Sequence, residues 1–428
     1  MSIFDQTAFS AVLKEVYQPM IQVLVADKVP ALKMFNVEKF QYEGSAVKYP
    51  LLVGRAQSFL AQGPLGVIPT PQNETDVQVT IGTKWMRGVI SLSYAIMALS
   101  RSNRGSWARA QEQLMSRLVT NMADEENRML SAGSGTGILA LVDGAGSGTT
   151  SLSVDAPGGY ASDAYGTRYI QPGMIIAIHN GTTITAIRSV SAVATESVTT
   201  GTLTLDSVVS SGQAPDNSYI SRISTTSSTS LTDDSSYNNE PMGLEGIVDD
   251  GTNVATFQNV SRTTYPDMKS IVLSSSVLTL SLMQRMFDAI DQQSGEVINK
   301  LWSHHSVRRL YYGLIDANRT FMQTGKAGKF DLGMNETETT YNGISWEVDR
   351  DARLGVLMGL QMDHMVAYPN VEGEWADETG SVFTRVQSNR DAYEAMYRKS
   401  GNYGCYKPNT CGKITGLSET DAIERHVQ

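Results

Sequence analysis

The sequence predicts an α+β fold into which a small β-barrel or β-sandwich is inserted. Three stretches, taken in chain order, support this class: an extended hairpin, a long uninterrupted amphipathic helix, and a Ser/Thr-rich run of short strands. A chain of 428 residues is too long for one simple core, so we expect several subdomains.

The composition narrows the classes of function. Charged residues make up 18% of the chain, below the usual quarter or so, while Ser, Thr and Gly are abundant, which is typical of β-rich proteins with much contact surface. A net charge of −10 argues against a protein that grips nucleic acid through its phosphates, because such contacts require clustered Lys and Arg. The charge does not argue against a protein that encloses nucleic acid.

Neither a membrane nor a secretory role is predicted. The first ten residues lack the basic and apolar regions of a signal peptide, and apolar runs such as Met174–Ile178 are far too short to span a bilayer. We therefore expect a protein that is made and used in a cytoplasm. In that reducing compartment Cys405 and Cys411 are expected as free thiols, although their spacing also permits a tight-loop disulfide.

The first 38 residues form a candidate N-terminal arm. Pro19 joins two short amphipathic pieces and Pro30 ends the second, and no neighbouring segment offers them a core. The pattern favours an arm that buries its apolar face against another molecule. A terminal helix packed on its own domain is an equal alternative. The apolar residues of the first piece are Phe9, Val12, Leu13, Val16 and Tyr17.

Residues 41–93 contain two extended runs separated by a long tip. Apolar alternation in 45–54 and in 76–93 predicts strands, whereas residues 56–75 between them are rich in Gly, Pro and Gln. A compact domain rarely keeps so long a tip unless the tip has a function. We expect a long two-stranded hairpin that projects from the body and is supported by a neighbouring surface.

The stretch from Ser106 to Gly133 predicts one long helix of roughly 40 Å. No Pro or Gly interrupts it, and Gly133 is expected to end it in the left-handed conformation. Such a helix usually serves as a strut across which other layers lie, the alternative being an ordinary long core helix. The predicted apolar stripe is Trp107, Ala110, Leu114, Leu118, Met122 and Met129.

From about Leu141 to Thr229 the composition changes to short β-rich pieces separated by Gly, Pro, Asp and Asn turns. Strands of this length and spacing predict a small barrel or sandwich, and Asn180-Gly181 is the clearest hairpin turn in the chain. The Ser/Thr-rich stretch 224–236 is expected to be a linker that returns to the main body.

From Leu278 onward a helix, a strand and a second helix are predicted, and together they suggest an α/β layer. The first helix is expected to stop at Ser294-Gly295 and the second to begin near Ser303. The remaining strand-like or amphipathic segments are 342–349, 353–360, 365–369, 381–387, 391–400 and 401–417.

No catalytic, metal or cofactor site is predicted. Adjacent His304 and His305 on a helix point about 100° apart and cannot face one site, so we expect a surface pair at a helix N-terminus. The stretch Asp249–Asn253 lacks the ligand spacing of a calcium loop and predicts a turn. Nucleophile-elbow, phosphate-loop and dinucleotide motifs are missing from the sequence. We predict a protein that is not an enzyme.

An apolar arm, a projecting hairpin, a strut helix with a Gly-rich exit, an α/β layer and C-terminal strands, in this order, resemble the HK97-type major capsid protein of tailed bacteriophages. In that family these parts are the N-arm, the E-loop, the spine helix of the P-domain, and the A-domain. The resemblance rests on order and periodicity over most of the chain. It implies the N-arm at 1–38, the E-loop hairpin at 39–95, the P-domain with the spine helix at 96–140, the inserted β-domain at 141–231, the P-domain continuation at 232–277, the A-domain at 278–372 and the P-domain C-terminal return at 373–428.

The resemblance implies a subunit that self-assembles, through hexamers and pentamers, into the icosahedral head shell of a virion. The shell would enclose double-stranded DNA without reading its sequence, and would be assembled in the host cytoplasm away from any membrane. Portal, decoration and separate scaffolding proteins are the implied partners. The implied inter-subunit contacts of the N-arm and E-loop are Phe9, Val12, Leu13, Tyr17, Phe59, Leu60, Leu65, Val67 and Ile68.

Two alternatives accompany this interpretation. An encapsulin-like compartment would use the same fold to hold cargo proteins, but the inserted β-domain favours a phage head. A carbohydrate-binding or adhesive β-protein would use the insertion as its binding module. In that case Tyr160, Tyr165 and Tyr169 are candidates to contact glycans, against the alternative of an ordinary solvated surface.

Overall fold

The computed structural model describes residues 30–37, 45–54, 56, 58–94, 104–146, 148–160, 165–194, 201–210, 212–319, 339–377, 381–385 and 391–418, with the backbone alone for 104–113, 316–319 and 339. The helices are α1 (Arg104–Ser131), α2 (Leu231–Asp234), α3 (Leu244–Ile247), α4 (Leu280–Ser294) and α5 (His305–Arg319). The strands are β1 (Asn36–Val37), β2 (Ala46–Gly54), β3 (Thr75–Gly82), β4 (Lys84–Ser93), β5 (Ile138–Val142), β6 (Thr149–Asp155), β7 (Ile175–His179), β8 (Ile184–Val193), β9 (Gly201–Val209), β10 (Tyr219–Arg222), β11 (Thr256–Phe257), β12 (Val260–Ser261), β13 (Ile271–Ser274), β14 (Lys300–Ser303), β15 (Thr339–Tyr341), β16 (Ile344–Val348), β17 (Leu357–Leu360), β18 (Met365–Trp375), β19 (Thr384–Arg385), β20 (Ala392–Cys405) and β21 (Gly412–Thr415).

The long helix α1 agrees with the predicted helix to within two residues at each end. Its buried face agrees only in part. Leu118 and Met122 of the predicted stripe are partly buried, whereas Leu114 is 36% exposed and the fully buried Met115, Val119 and Ala123 were not predicted. Three consecutive polar side chains are also buried: Glu126, Asn127 and Arg128.

Each of these polar side chains is buried because a distant segment supplies its partner, as buried polar groups require. The Asn127 amide donates to both Asp349, at 2.8 Å, and Asp351, at 2.9 Å. Arg128 pairs with Glu125 and Glu240, and Glu126 pairs with Lys399. Hydrophobic periodicity does not register such partners, so it does not predict that these polar positions are buried.

The predicted left-handed cap at Gly133 is wrong. The left-handed glycines after α1 are Gly135 and Gly137, with φ of 80° and 70°. Gly133 is instead required by close approach, because a Cβ there would lie 2.2 Å from the Met129 carbonyl oxygen. The backbone at Gly133 therefore packs directly on the last turn of α1 before the chain enters the barrel.

The predicted hairpin is formed by β2 and β3, which pair antiparallel from Ala46 opposite Gly82 to Gly54 opposite Thr75. The last part of the predicted hairpin, β4, leaves it and pairs with β20. On one face β4 packs on α1, where a Cβ on Gly88 would lie 2.6 Å from Met122 Sδ. The sheet that contains β4 also includes β1, β18, β19 and β20.

The inserted domain is a closed six-stranded barrel, with strand order β10-β5-β6-β9-β8-β7. The turn at Asn180-Gly181 forms as predicted, and the Asn180 side chain accepts the backbone N–H groups of Thr182 and Thr183. The barrel begins with Ile138, three residues before the predicted boundary. Its interior is filled by apolar side chains, including Leu139, Leu152, Val154, Ile176, Ile178, Leu203 and Ile220.

The stretch predicted as a linker is locally folded. Ser230 caps α2 by accepting the backbone N–H of Asp233, and Ile223 bridges to Ser235. The chain thereby returns to the main body beside the start of the barrel, where the Ser236 hydroxyl donates to the Gly137 carbonyl at 2.9 Å.

The predicted α/β layer is present as a six-stranded sheet of order β13-β21-β17-β14-β16-β15, packed with α4 and α5. Gly295 ends α4 in the left-handed conformation, as predicted. The layer is wider than the predicted 278–372, because β13 and β21 join it from either side of that range. Conversely, β18 lies within that range and belongs to the other sheet.

The segment 391–400, which was predicted to be amphipathic, is a strand and forms most of the 14-residue β20. Cys405 and Cys411, near the C-terminal end of the chain, are buried free thiols, as predicted. Among the residues that the structure describes, no helix has the length and apolarity to cross a membrane.

Candidate assembly surfaces

The connection between β2 and β3 carries the most exposed large apolar side chains in the described part of the chain. The exposed fractions are 78% for Phe59, 66% for Leu60, 99% for Leu65, 90% for Val67 and 83% for Ile68. These are the five predicted contact residues of the hairpin, and they lie on one segment, residues 58–72, which we call the hairpin tip. Apolar surface of this extent is unfavourable in water unless another surface covers it.

The hairpin tip is closed at its base and carries no charged residue. Ser58 Oγ accepts the backbone N–H of Gln72 at 2.9 Å and donates to its carbonyl at 3.2 Å. Within the tip, a turn is closed by the Gly66 N–H, which donates to the Gly63 carbonyl at 2.9 Å. Its backbone thus holds the apolar side chains on a defined loop.

The base of the hairpin is fixed to the body. Val79 and Ile81 on β3 are buried, and the Thr80 N–H donates to the Gln258 carbonyl at 2.9 Å. The Tyr49 hydroxyl lies 3.0 Å from the Gln258 amide, and burial raises the pKa of this tyrosine. The hairpin therefore has a fixed base and an exposed apolar tip.

A second exposed apolar surface lies on β4 and was missed in the sequence. Trp85 is 48% exposed and Val89 is 55% exposed, and the Arg87 guanidinium stacks over the Trp85 ring with its carbon 5.7 Å from the centroid. The alternation of β4 was visible in the sequence. Which face it exposes depends on α1, which covers the opposite face at Gly88.

A cavity of about 280 Å³ is lined by residues of α1, β4, β18 and β20. Its lining includes Lys84, whose Nζ donates to the Asn238 carbonyl at 2.5 Å and whose pKa is lowered by burial. The pair of Lys399 and Glu126 also lines it. The rest of the lining is mainly apolar and includes Leu32, Val37, Met86, Pro241, Tyr397 and Tyr403.

The predicted contact residues of the N-terminal arm, Phe9, Val12, Leu13 and Tyr17, lie outside the described residues, so their role stays a prediction. Of the nine predicted contact residues, the described part of the structure contains the five of the hairpin tip, and these lie together on one loop.

The adjacent histidines His304 and His305 lie in different surroundings. His304 Nδ1 lies 2.8 Å from Ser306 Oγ, and burial together with the charge of Arg168 lowers the pKa of His304 to about 3. His305 is exposed, as predicted, whereas His304 is half-buried. No group of three or more His, Cys, Asp or Glu side chains in the described ranges is arranged to hold a metal ion.

The three tyrosines considered for glycan binding are not available at the surface. Tyr160, Tyr165 and Tyr169 are 3%, 5% and 6% exposed. The Tyr160 hydroxyl donates to the Ala132 carbonyl at 2.7 Å, which places it at the junction with α1. The sequence-based assignment of these side chains to glycan contact is therefore wrong.

No protein-family model and no curated protein matches the sequence. Solved structures do match. The cyanophage A-1(L) capsid asymmetric unit contains a chain that superimposes with a TM-score of 0.55, at 10% identity, over 91% of this chain and 93% of that one.

Two further matches have lower TM-scores. The capsid of a native GTA particle gives 0.47 at 8% identity over 91% of both chains. A structure from Mycobacterium phage Adephagia gives 0.41 at 12% identity, over 92% of this chain and 91% of that one. At such identities the likeness concerns the fold alone, and the first match carries it. The chain has the fold of a phage capsid chain.

Proposed function

We propose that this chain is the major capsid protein of a tailed bacteriophage, and that its copies assemble into an icosahedral shell around double-stranded DNA. The observation that carries the proposal is the hairpin tip, which has five apolar side chains at 66–99% exposure on a hairpin with a fixed base. In a single chain this apolar surface stays exposed to water, which is unfavourable. A neighbouring copy that covers it makes a heterologous contact, and such contacts close into rings and shells.

The likeness to the cyanophage capsid chain supports this function, because it extends over nine-tenths of both chains. The hairpin, α1, the six-stranded sheet and the sheet that contains β20 then correspond to the E-loop, the spine helix, the A-domain and the P-domain of an HK97-type subunit. Residues 1–38 would be the N-arm. The barrel would be a domain added to the HK97-type subunit.

The charge of the chain suits a container for DNA. With a net charge of −10 the chain as a whole would repel the packaged phosphates, which favours a genome that does not adhere to the shell. Hexamers and pentamers of the same chain, with a portal and a separate scaffolding protein, are the partners we infer. Each subunit would bury more than about 2,000 Å² against its neighbours, as subunits of obligate assemblies do.

The test is the size and content of the purified full-length product. Negative-stain microscopy and sedimentation should reveal closed, multi-megadalton particles or hexameric and pentameric capsomers that close when scaffolding protein is added. Nucleic acid inside particles made during infection supports a phage head, and protein cargo instead supports a compartment of the encapsulin kind. A chain that stays monomeric at high concentration, with and without scaffolding protein, refutes the proposal.

A further inference from the structure

Four charged side chains are buried together beneath β21: Glu245, Asp249, Arg262 and Lys413, none more than 1% exposed. The Lys413 ammonium lies between two carboxylates. Its Nζ is 2.9 Å from Glu245 Oε2 and 3.4 Å from Asp249 Oδ1. Water is excluded from the group, so an amine and two carboxyl groups are held in contact in a medium of low dielectric constant.

The two oxygens of Asp249 have different surroundings. Oδ2 accepts three backbone N–H groups, from Gly251 at 3.0 Å, Asn253 at 3.0 Å and Val254 at 2.9 Å. The guanidinium of Arg262 lies 3.6 Å from the same oxygen. Fixed donors around one carboxyl oxygen are also what stabilises the oxyanion of a tetrahedral intermediate. Oδ1, the other oxygen, accepts from the Asn253 side-chain amide at 3.0 Å and from Lys413 Nζ at 3.4 Å.

Glu245 has a free acceptor. Its Oε2 accepts from Lys413 and lies 3.5 Å from Arg353, whereas its buried Oε1 has no hydrogen-bond partner within the described part of the chain. An unpaired buried acceptor is costly and calls for an explanation. The Glu245 carboxylate contacts the ammonium group through Oε2, so it is placed to take a proton as a general base.

We propose that Lys413 and Asp249 condense into an intrachain amide bond, with Glu245 as the proton carrier. Glu245 carries one proton from the Lys413 ammonium to Asp249 Oδ1, so that a neutral amine faces a neutral carboxyl group. The amine attacks Asp249 Cγ, and the negative charge of the intermediate collects on Oδ2, among the three N–H groups. A second proton passes from the nitrogen to Oδ1, which leaves as water. One ammonium and one carboxylate become one amide and one water, so no oxidant or other reagent is required.

The bond would tie β21 to the loop after α3, two sites 164 positions apart in sequence. It would replace two buried charges by a neutral amide. The inference does not depend on the proposed shell function, because it concerns a single folded chain. A second buried pair serves as a comparison: Lys399 contacts both oxygens of Glu126, and no ring of backbone donors from the described residues surrounds that carboxylate.

The experiment is mass spectrometry of the denatured full-length chain after folding. The expected mass is that of the sequence less one water molecule, and a protease digest should contain a branched peptide joining the segments around residues 249 and 413. The Lys413→Arg variant keeps the positive charge but lacks the nucleophilic amine, so its observed mass should equal the mass calculated from its sequence, with no water lost. Glu245→Gln should retain the water in most molecules, and Lys399→Arg should still lose it.

An intact mass equal to that of the sequence in the folded wild type overturns the proposal and leaves a buried ion network. So does a water loss that maps to Asp250-Gly251, where an aspartyl-glycine pair can cyclise on its own backbone. The Asp249→Asn variant distinguishes condensation with Lys413 from cyclisation at Asp250-Gly251. Condensation of the new side-chain amide would release ammonia and give the same branched peptide, whereas cyclisation would still release water. Particle formation is scored on the same sample, so failure of the amide bond and failure of shell assembly are separate outcomes.

Discussion

Lys399 on β20 donates from Nζ to both carboxylate oxygens of Glu126 on α1, at 2.5 and 2.7 Å, and so joins the long helix to the sheet. The Glu126 side chain is 3% exposed, and Tyr403 also donates to it at 2.8 Å. Replacing Lys399 by Met should lower the free energy of unfolding by about 3 kcal/mol, because a buried carboxylate loses its cation. Urea unfolding of the unassembled chain measures the change.

The matched control is the double variant Glu126→Gln with Lys399→Met. It removes both charges, so much of the lost stability should return. If the single variant is no less stable than the double variant, the pair does not hold the helix to the sheet.

Gly137 should tolerate no side chain. Its φ of 70° lies in the left-handed region, and a Cβ would lie 1.9 Å from the Ser236 carbonyl oxygen. Because the obstacle is backbone, Gly137→Ala should cost about 3 kcal/mol or more in unfolding free energy. Gly173, with a φ of 87° and no atom within 4 Å of the point that a Cβ would occupy, is the control, and Gly173→Ala should cost only about 1 kcal/mol. Equal effects would contradict a steric cause at the junction of α1 with the barrel.

The barrel should lose stability in mild acid through His179. Its Nδ1 accepts the Gly181 N–H at 3.1 Å, and burial lowers its pKa from 6.5 to about 4. The folded state therefore binds the proton less readily than the unfolded state. The contribution of His179 to stability is fully present above pH 6.5 and is lost as the pH falls through 4, in total about 3 kcal/mol.

The measurement is the unfolding free energy of the wild type and of His179→Phe at several pH values between 4 and 7. The difference between them should change by up to about 1.4 kcal/mol per pH unit in this window. Parallel curves would mean that His179 does not titrate there.

The hairpin tip should govern assembly without governing folding. Leu65→Asp together with Val67→Asp changes side chains that are 99% and 90% exposed, so the unassembled chain should unfold within about 0.5 kcal/mol of the wild type. Particle yield by sedimentation should nevertheless fall at least tenfold, because charges would be buried at the contact between copies. Val208→Asp, on an exposed position of the barrel, is the control that should still assemble. Normal particles from the tip variant would contradict the role of this surface.

Local signals account for the elements that the sequence predicted well. The 3.6-residue period and the lack of Pro within 106–131 predict α1, and Thr279 and Gly295 bound α4 with a side-chain cap and a left-handed glycine. The alternation of the barrel strands and the Asn180-Gly181 turn are likewise properties of a few neighbouring residues. The hairpin tip was also visible, because its Pro and Gly exclude regular structure while its apolar residues remain.

Long-range contacts account for what was missed. The buried face of α1 depends on Asp349, Glu240 and Lys399, which lie more than 100 positions away. The separation of β4 from the hairpin depends on its pairing with β20, and the width of the six-stranded sheet depends on the parallel pairing of β13 with β21. Local sequence patterns predict strands but do not determine which strands pair with each other.

By itself, the sequence determined the kinds and order of elements, the inserted β-domain and the exposed apolar tip, because helix period, strand alternation and turn chemistry are set by residues a few positions apart. Only the tertiary structure decided which polar side chains enter the core. Glu126, Asn127 and the group around Lys413 are stable there because partners from remote segments neutralise them or share their hydrogen bonds, and folding alone brings those partners within reach.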